Sequence, residues 1–588
     1  MRLALRPFVW LLLRSSEQMR ILERCLDNDQ LALARIVDRN VLVLAPPGSG
    51  KTRLLTHAAA HRVRSMLSPA RVMCLTFNVE ATHEMRRRLS VPELQCPSNR
   101  VLVCNYHQLG MHLLRRWGHK LGGPRLRGLC VDAERDRVLE EVISDFKLPL
   151  NVYNAGQAIE RLKGQRKDET GLPAETLLRM LEAYDQKLRD RNLRDFVDLI
   201  VDATALLSNN PRLQQILHSA YPYIFVDEMQ DTSRLQLDLI GTLIGHSSRL
   251  FGVADDDQMI YAWLSALPGN LDEFVSRFTA EEHSLVGNYR CPPVIVDLAN
   301  SVISQNARRR AVLMESRVTG RTGEVRVRIG NGELGEARLI AGEVAAAISD
   351  GFSPRKIAIL APHRFKFPPV VDALTDLDIR HVSIGAAKSN KDPIARLVRV
   401  LCQGLGAAAG TNSVQLSDLK GVIKNANVRH LERIHAAVEA ARREAGVGIL
   451  NPLLSSFGLG TVRAPSRYQD EIRVLGRMFN KAISDNPGID AAAIGSVVLG
   501  EWQRLEAHAL RAEEAVHLMT SYGAKGLEYD VIMLPFLNHG LVPYSKSNID
   551  WQEARRLFYV AITRAAHRVV LSRDSGRSPS HLWNGLAV

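Results

Sequence analysis

Residues 45–52 read APPGSGKT, directly after the apolar run VLVLA (41–45) and directly before a helical pattern. That junction constrains the chain more than any other feature. A glycine-rich turn between a buried strand and a helix lets backbone N–H groups close around phosphate, and the helix N-terminus adds its positive end. On this reading Ala45, Pro46, Pro47, Gly48, Ser49 and Gly50 form the cradle. Lys51 would reach the β- and γ-phosphates of a nucleotide, and the Thr52 hydroxyl would ligate Mg²⁺. The strict pattern has glycine where Ala45 stands.

Further apolar runs place this turn in a larger α/β frame. VMCL (72–75), VLVC (101–104), YIFV (223–226) and LFGVA (250–254) read as buried strands with VLVLA. A second region supplies VRVRI (325–329), IAILA (357–361), VIMLP (531–535) and VVLS (569–572). Buried strands separated by helical patterns imply parallel sheets. Long helical stretches separate the strands at 101 and 223, and those at 357 and 531. The run IFVDEMQDT (224–232) puts two carboxylates at the carboxyl end of a strand, where α/β sheets build ligand sites. Asp227 would hold Mg²⁺, directly or through water. Glu228 would orient and deprotonate an attacking water, since in-line phosphoryl transfer needs a positioned nucleophile.

At 588 residues the chain has room for about four domains. Its apolar fraction of 46% with 24% charged residues excludes bulk disorder. A formal charge of +13 suits an anionic partner, though a protein can also simply be basic. The 7 cysteines are scattered with no CxxC pair, which argues against a disulfide framework or a zinc site. No stretch approaches the ~20 apolar residues of a membrane helix. The opening MRLALRPFVWLLLRSS has too short an apolar run for a signal peptide, and Met19 is an alternative start. The chain reads as cytoplasmic, with no membrane partner.

Several further motifs occur in order: VADDDQMIYAW (253–263), NYR (288–290), AKGLEY (524–529) and RRLFYVAITRA (555–565). With GSGKT and VDEMQDT they resemble the UvrD/Rep/PcrA-type superfamily 1 DNA helicases over nearly the whole chain. The resemblance implies two RecA-like P-loop domains with parallel sheets, each carrying a mostly helical insertion. The expected first core is 20–106 with 220–284, and the second is 285–405 with 512–588. Their insertions are 107–219 and a shortened 406–511, and 1–19 is an N-terminal extension. DFVDLI (195–200) is similar to the pattern that returns the first insertion to its core.

By the same resemblance, Gln30 reads the adenine edge, Tyr289 stacks on the base and Glu528 contacts the ribose. Gln258 senses the γ-phosphate, and Arg290 and Arg564 reach it from the second core. For DNA, TFNVEATHEM (76–85) and NYH (105–107) resemble family segments, which marks Phe77 and His107, with Tyr261 and Trp263 as further stacking platforms. Arg115, Arg116, Lys120, Arg125 and Arg127 form a candidate phosphate-contacting stretch, with a solvated loop as the alternative.

The implied activity is that of an ATP-dependent 3′→5′ single-stranded DNA translocase that unwinds tailed duplexes in repair, replication or defence. Leu264-Ser265 stand where the family has Arg-Gly, Tyr522 replaces a histidine, and Val79 replaces an asparagine. The chain ends about two dozen residues after Arg564, which leaves no room there for an appended nuclease. Leu264, Tyr522 and the short second insertion motivate an alternative, a DNA-stimulated ATPase switch serving a repair or defence partner without processive unwinding. An RNA-directed motor is a third reading.

Overall fold

The computed structural model describes residues 25–66, 69–94, 96–121, 128–130, 132–164, 170–191, 193–260, 269–307, 309–310, 312–361, 363–384, 514–539 and 551–584, with scattered positions between 478 and 502. The expected extension 1–19, Tyr261, Trp263, Leu264, Ser265, Arg125, Arg127 and most of 406–511 lie outside the described residues.

The chain begins with α1 (Asn28–Ala34), β1 (Val41–Leu44), α2 (Lys51–Ser65), β2 (Val72–Thr76), α3 (Val79–Leu89), β3 (Val101–Asn105) and α4 (Tyr106–Trp117). A helical stretch follows, in which β4 (Gly128–Leu129) pairs with β5 (Leu193–Arg194) among α5 (Asp132–Phe146), α6 (Val152–Lys163), α7 (Ala174–Asp190), α8 (Phe196–Ser208) and α9 (Pro211–Ala220). Strands resume with β6 (Tyr223–Val226), α10 (Arg234–Leu243), β7 (Arg249–Ala254), α11 (Asn270–Phe278) and β8 (Glu281–Ser284). These close a six-stranded sheet in the order β3-β2-β6-β7-β1-β8, parallel throughout.

Next come β9 (Gly287–Asn288), α12 (Pro293–Ile303), β10 (Glu315–Ser316), β11 (Glu324–Gly330), α13 (Gly332–Ser349), β12 (Ile357–Ala361), α14 (Pro368–Asp376) and β13 (His381–Ser383). After the second long interval the chain adds β14 (Val516–Thr520), β15 (Tyr529–Leu534), α15 (Trp551–Ile562) and β16 (Ala565–Asp574). The second sheet is again six-stranded and parallel, ordered β11-β16-β15-β12-β14-β13.

All nine apolar runs read as strands are strands, with ends shifted by at most two residues except that β16 begins four residues before VVLS. Three strands of the two sheets are additional. β8 reads Glu-Glu-His-Ser and pairs on one side only, so charge on it guards an open edge. β13 is likewise an edge, and β14 is buried just ahead of the AKGLEY motif, in a stretch not read as a strand.

Each sheet has its own apolar cluster, because strands buried on both faces need helices laid across them. Val41, Val43, Leu54, Ala58, Phe225 and Phe251 belong to the first. Ile340, Val344, Ile359, Leu518, Val531 and Val570 belong to the second. Both sheets fall in one compact unit drawn from Met1–Leu109, Leu207–Gly385 and Arg511–Val588. The other unit takes Gly110–Leu206 and Ala386–Leu510. In it, Val142, Ile159, Met180 and Leu188 pack α5, α6 and α7 together. There the buried Lys163 meets Asp185 and Asp195 at 2.7 Å and Asp198 at 2.5 Å, which ties the DFVDLI segment to α6.

Candidate functional site

Gly48 and Gly50 take the left-handed backbone, φ +72° and +82°, and this turns the chain from β1 into α2. At Gly48 an added Cβ would meet the Asn288 side chain at 2.7 Å. Lys51 spans the turn: its Nζ donates to the Ala45 carbonyl at 2.9 Å and stands 3.7 Å from Asp255. Thr52 follows in the first turn of α2, half-buried. Pro46, Pro47 and Ser49 are buried within the loop.

Gln30 is placed here by the start of α1. Its backbone N–H donates to Asp27 Oδ1 at 2.8 Å in a reciprocal cap, and its Nε2 donates to the Ser49 carbonyl at 2.7 Å. Tyr289 is 42% exposed, its N–H donates to the Gly48 carbonyl at 2.9 Å, and its hydroxyl donates to Asp27. So the residues expected around a base, Gln30 and Tyr289, share Asp27 and the loop.

Two carboxylates follow β6. Asp227 is buried, and burial together with the neighbouring Glu228 charge pushes it up to about 7. Glu228 holds a left-handed backbone at φ 50°, unusual for a residue with a side chain. Burial works to raise its carboxyl, but Lys51, Lys525, the Gln230 amide and Arg564 outweigh that and hold it below the usual range. A half-buried base kept ionised is chemically suited to accept a proton from water. The donors here are carboxylate and hydroxyl oxygens, the set a hard divalent cation prefers. Asp227, pressed towards protonation by Glu228, would be relieved by such a cation.

Gln258 ends a short 3-10 turn after β7. Its Nε2 donates to Asp255 at 2.6 Å, and its Oε1 accepts from Arg564 Nη2 at 3.5 Å. Arg564 is 3% exposed; burial, with Arg290 beside it, pushes its guanidinium down to about 10. Arg290 donates Nη1 to the Thr563 carbonyl at 3.0 Å and Nη2 to Glu528, which is otherwise exposed. The structure thus brings Lys51, Glu228, Gln258 and Arg564 into one network, with Arg290 and Glu528 paired beside it.

Four residues of this network were not singled out from sequence. Asn288 is fully buried; its Nδ2 donates to the Pro47 carbonyl at 2.8 Å, and its Oδ1 accepts the N–H of Arg290 and Cys291. Gln230 donates to Glu228 and accepts the Asp255 N–H at 2.9 Å. Lys525 donates to Asp231 and, at 3.1 Å, to the Gln258 carbonyl. Asp255 accepts from Gln258 and faces Lys51. Each sits inside a motif already quoted; the signal was present and its owner was not.

Of the residues expected on a nucleic-acid track, Phe77 and His107 are described. Thr76 of β2 pairs with Asn105 of β3, so Phe77 and His107 leave neighbouring strand ends, both half-buried. Val79 is 40% exposed at the start of α3. Tyr522 donates to Glu553 at 3.5 Å. Arg115 and Arg116 close α4, and Arg116 lies over the Trp117 ring at 4.9 Å.

Comparison with known proteins agrees with this geometry. The UvrD/REP helicase N-terminal domain matches residues 26–279, and the UvrD-like helicase C-terminal domain matches residues 492–576. The chain is 25% identical to the ATP-dependent DNA helicase PcrA of Leuconostoc citreum over 94% of its own length and 82% of the relative's. It is 25% identical to the ATP-dependent DNA helicase PcrA of Bacillus subtilis, over 93% and 82%. It is 27% identical to DNA helicase II of Escherichia coli, over 91% and 82%. Among the described residues no helix is long and apolar enough to cross a membrane.

Proposed function

The chain belongs to the UvrD-like family of ATP-dependent DNA helicases, and from that premise we propose that it is a 3′→5′ single-stranded DNA translocase that unwinds tailed duplex DNA. One observation carries the reading: Arg564, ahead of β16 in the second sheet, meets Gln258, which follows β7 in the first.

Residues 45–50 and Lys51 would hold the ATP phosphates, with Tyr289 against the base, Gln30 on its edge and Glu528 at the ribose. Glu228 takes the proton of the attacking water. Arg290 and Arg564 meet the charge that develops on the γ-phosphoryl group, a role worth roughly 10³–10⁵ in rate for a finger arginine. Mg²⁺, held by Thr52 and Asp227, would neutralise phosphate charge. Because both arginines come from the second half of the chain, hydrolysis requires the two halves to close, and Gln258 would report that closure to the DNA side. Phe77, His107, Tyr261 and Trp263 would carry single-stranded DNA by stacking, which is indifferent to sequence. The work is placed in the cytoplasm, in repair, replication or defence, with room for a protein partner.

A second reading rests on Val79 and Tyr522. An exposed valine stands where the family places an asparagine, next to Phe77, and Tyr522 stands in for a histidine. An ATPase switch that senses DNA for a partner needs the same nucleotide site but not the unwinding. Strand displacement from duplexes bearing 3′ or 5′ tails decides. Displacement from the 3′ tail alone is expected, and displacement from the 5′ tail overturns the polarity. No displacement from either, with hydrolysis still stimulated by single-stranded DNA, favours the switch. Stimulation by RNA equal to that by DNA overturns the substrate.

A further inference from the structure

We propose that Arg309 is a positioning residue for hydrolysis, acting through Asp257 to hold Gln258 in reach of Arg564; this rests on the motor reading above. The segment after α12 is anchored at both ends. At one, Asn306 Nδ2 donates to the Gln552 carbonyl at 3.0 Å, and Arg555 Nη1 donates to Asn306 Oδ1 at 3.3 Å, so the segment is fastened to the start of α15. At the other, Arg309 grips Asp257: Nε lies 3.0 and 3.1 Å from its two oxygens, and Nη2 lies 2.5 Å from Oδ2. The side chains are 7% and 4% exposed, so the pair is almost out of water. Arg309 Nη2 also donates to the Val312 carbonyl at 2.9 Å, and the Arg310 N–H donates to Asp256 at 3.2 Å.

The three aspartates before Gln258 therefore face different partners. Asp255 takes the Gln258 amide and faces Lys51, Asp256 takes the Arg310 N–H, and Asp257 takes Arg309. Since α15 ends two residues before Arg564, the contacts close a ring. It runs from Asn306 along α15 to Arg564, across to Gln258, to its neighbour Asp257 and back through Arg309. A buried carboxylate held by a fork of N–H donors cannot shift without losing several bonds together. The turn that carries Gln258 is thus set by the second half of the chain from two directions, one of which is Arg309.

The test is steady-state ATP hydrolysis by the full chain with saturating oligo-dT. Arg309→Gln and Arg309→Lys should each lower kcat by about tenfold to a hundredfold, the scale of a small misplacement near reacting groups. KM for ATP should move by less than about twofold, the mark of an interaction made only in the transition state. Lysine should rescue little, because a point charge cannot reproduce the fork. In a Gln258→Ala background, Arg309→Lys should add almost nothing. Unchanged kcat, a raised KM at constant kcat, or losses that multiply in the double variant overturn the proposal. If Arg309→Gln fails to fold by thermal denaturation, Arg309→Lys and Asp257→Asn carry the same comparison. A wild-type chain that shows no stimulation by DNA overturns the motor reading; a stimulated wild type with normal Arg309 variants overturns this inference alone.

Discussion

Arg564 Nη2 and Gln258 Oε1 lie 3.5 Å apart, joining residues 306 positions distant in the chain. The arginine is otherwise held by its own surroundings, Nε donating to the Val560 carbonyl at 2.9 Å and Nη1 to Leu527 at 3.5 Å. A guanidinium fixed this way needs little reorganisation to meet a developing negative charge. Arg564→Ala should lower DNA-stimulated kcat by about 10³-fold or more while fluorescent ATP analogues still bind. Turnover within tenfold of wild type would remove Arg564 from the assigned role.

Glu228 and Lys51 should separate binding from chemistry. Glu228→Gln keeps the shape of the carboxyl but cannot take a proton, so ATP should bind while turnover falls by about 10²–10⁴. Lys51→Ala should instead weaken nucleotide binding itself. Measuring both by nucleotide titration and phosphate release checks the division. Wild-type turnover in Glu228→Gln would disprove proton transfer to that residue.

Gly48 admits no side chain. A Cβ there would sit 2.7 Å from Asn288 Oδ1, on a backbone at φ +72°. Gly48→Ala should cost about 1–2 kcal/mol from the backbone alone, and more from the clash. Asn288→Ala by itself removes its bonds to Pro47, Arg290 and Cys291, so the clash is read as non-additivity: the double variant should lose less stability than the sum of the two singles, by thermal denaturation of all three.

The helix that begins at Lys51 also carries a pH-sensitive group. Burial, with Arg62, Arg64 and Arg35 nearby, pushes the half-buried His61 imidazole down to about 4. The unfolded chain binds that proton from about 6.5 downward, and the folded chain refuses it until about 4. Stability is therefore whole above pH ~6.5 and falls as pH drops through that window. Between pH 7 and pH 5 the wild type should lose up to about 2 kcal/mol more than His61→Gln does. Equal losses would place the acid sensitivity elsewhere.

The buried strands were legible because apolar runs of four or five residues with helical patterns between them have few other uses. β8 was not, since Glu-Glu-His-Ser carries no apolar signal; its place is set by β1 alongside it. The turn at 45–52 was legible because its glycines, lysine and hydroxyl stand in local order between a strand and a helix. Long-range partners were not. Lys525 lies in AKGLEY, but Asp231 is 294 positions earlier. Arg309 is the middle of three consecutive arginines, and only the approach of Asp257, 52 positions away, distinguishes it. Composition likewise could not say which basic residues are structural: Lys163 is enclosed by three aspartates.

Leu54 and Phe251 are packed on one sheet and Ile340 and Val531 on the other. The contacts named between the halves are of another kind: Lys525 with Asp231, Arg309 with Asp257, Arg564 with Gln258 and Asn288 with Pro47. Water can replace each of those partners bond by bond, which it cannot do for a leucine. Contacts of that make can part and re-form with water standing in for each lost bond. While they are made, pairs this deeply buried are out of reach of dissolved salt, which screens them only once water has entered.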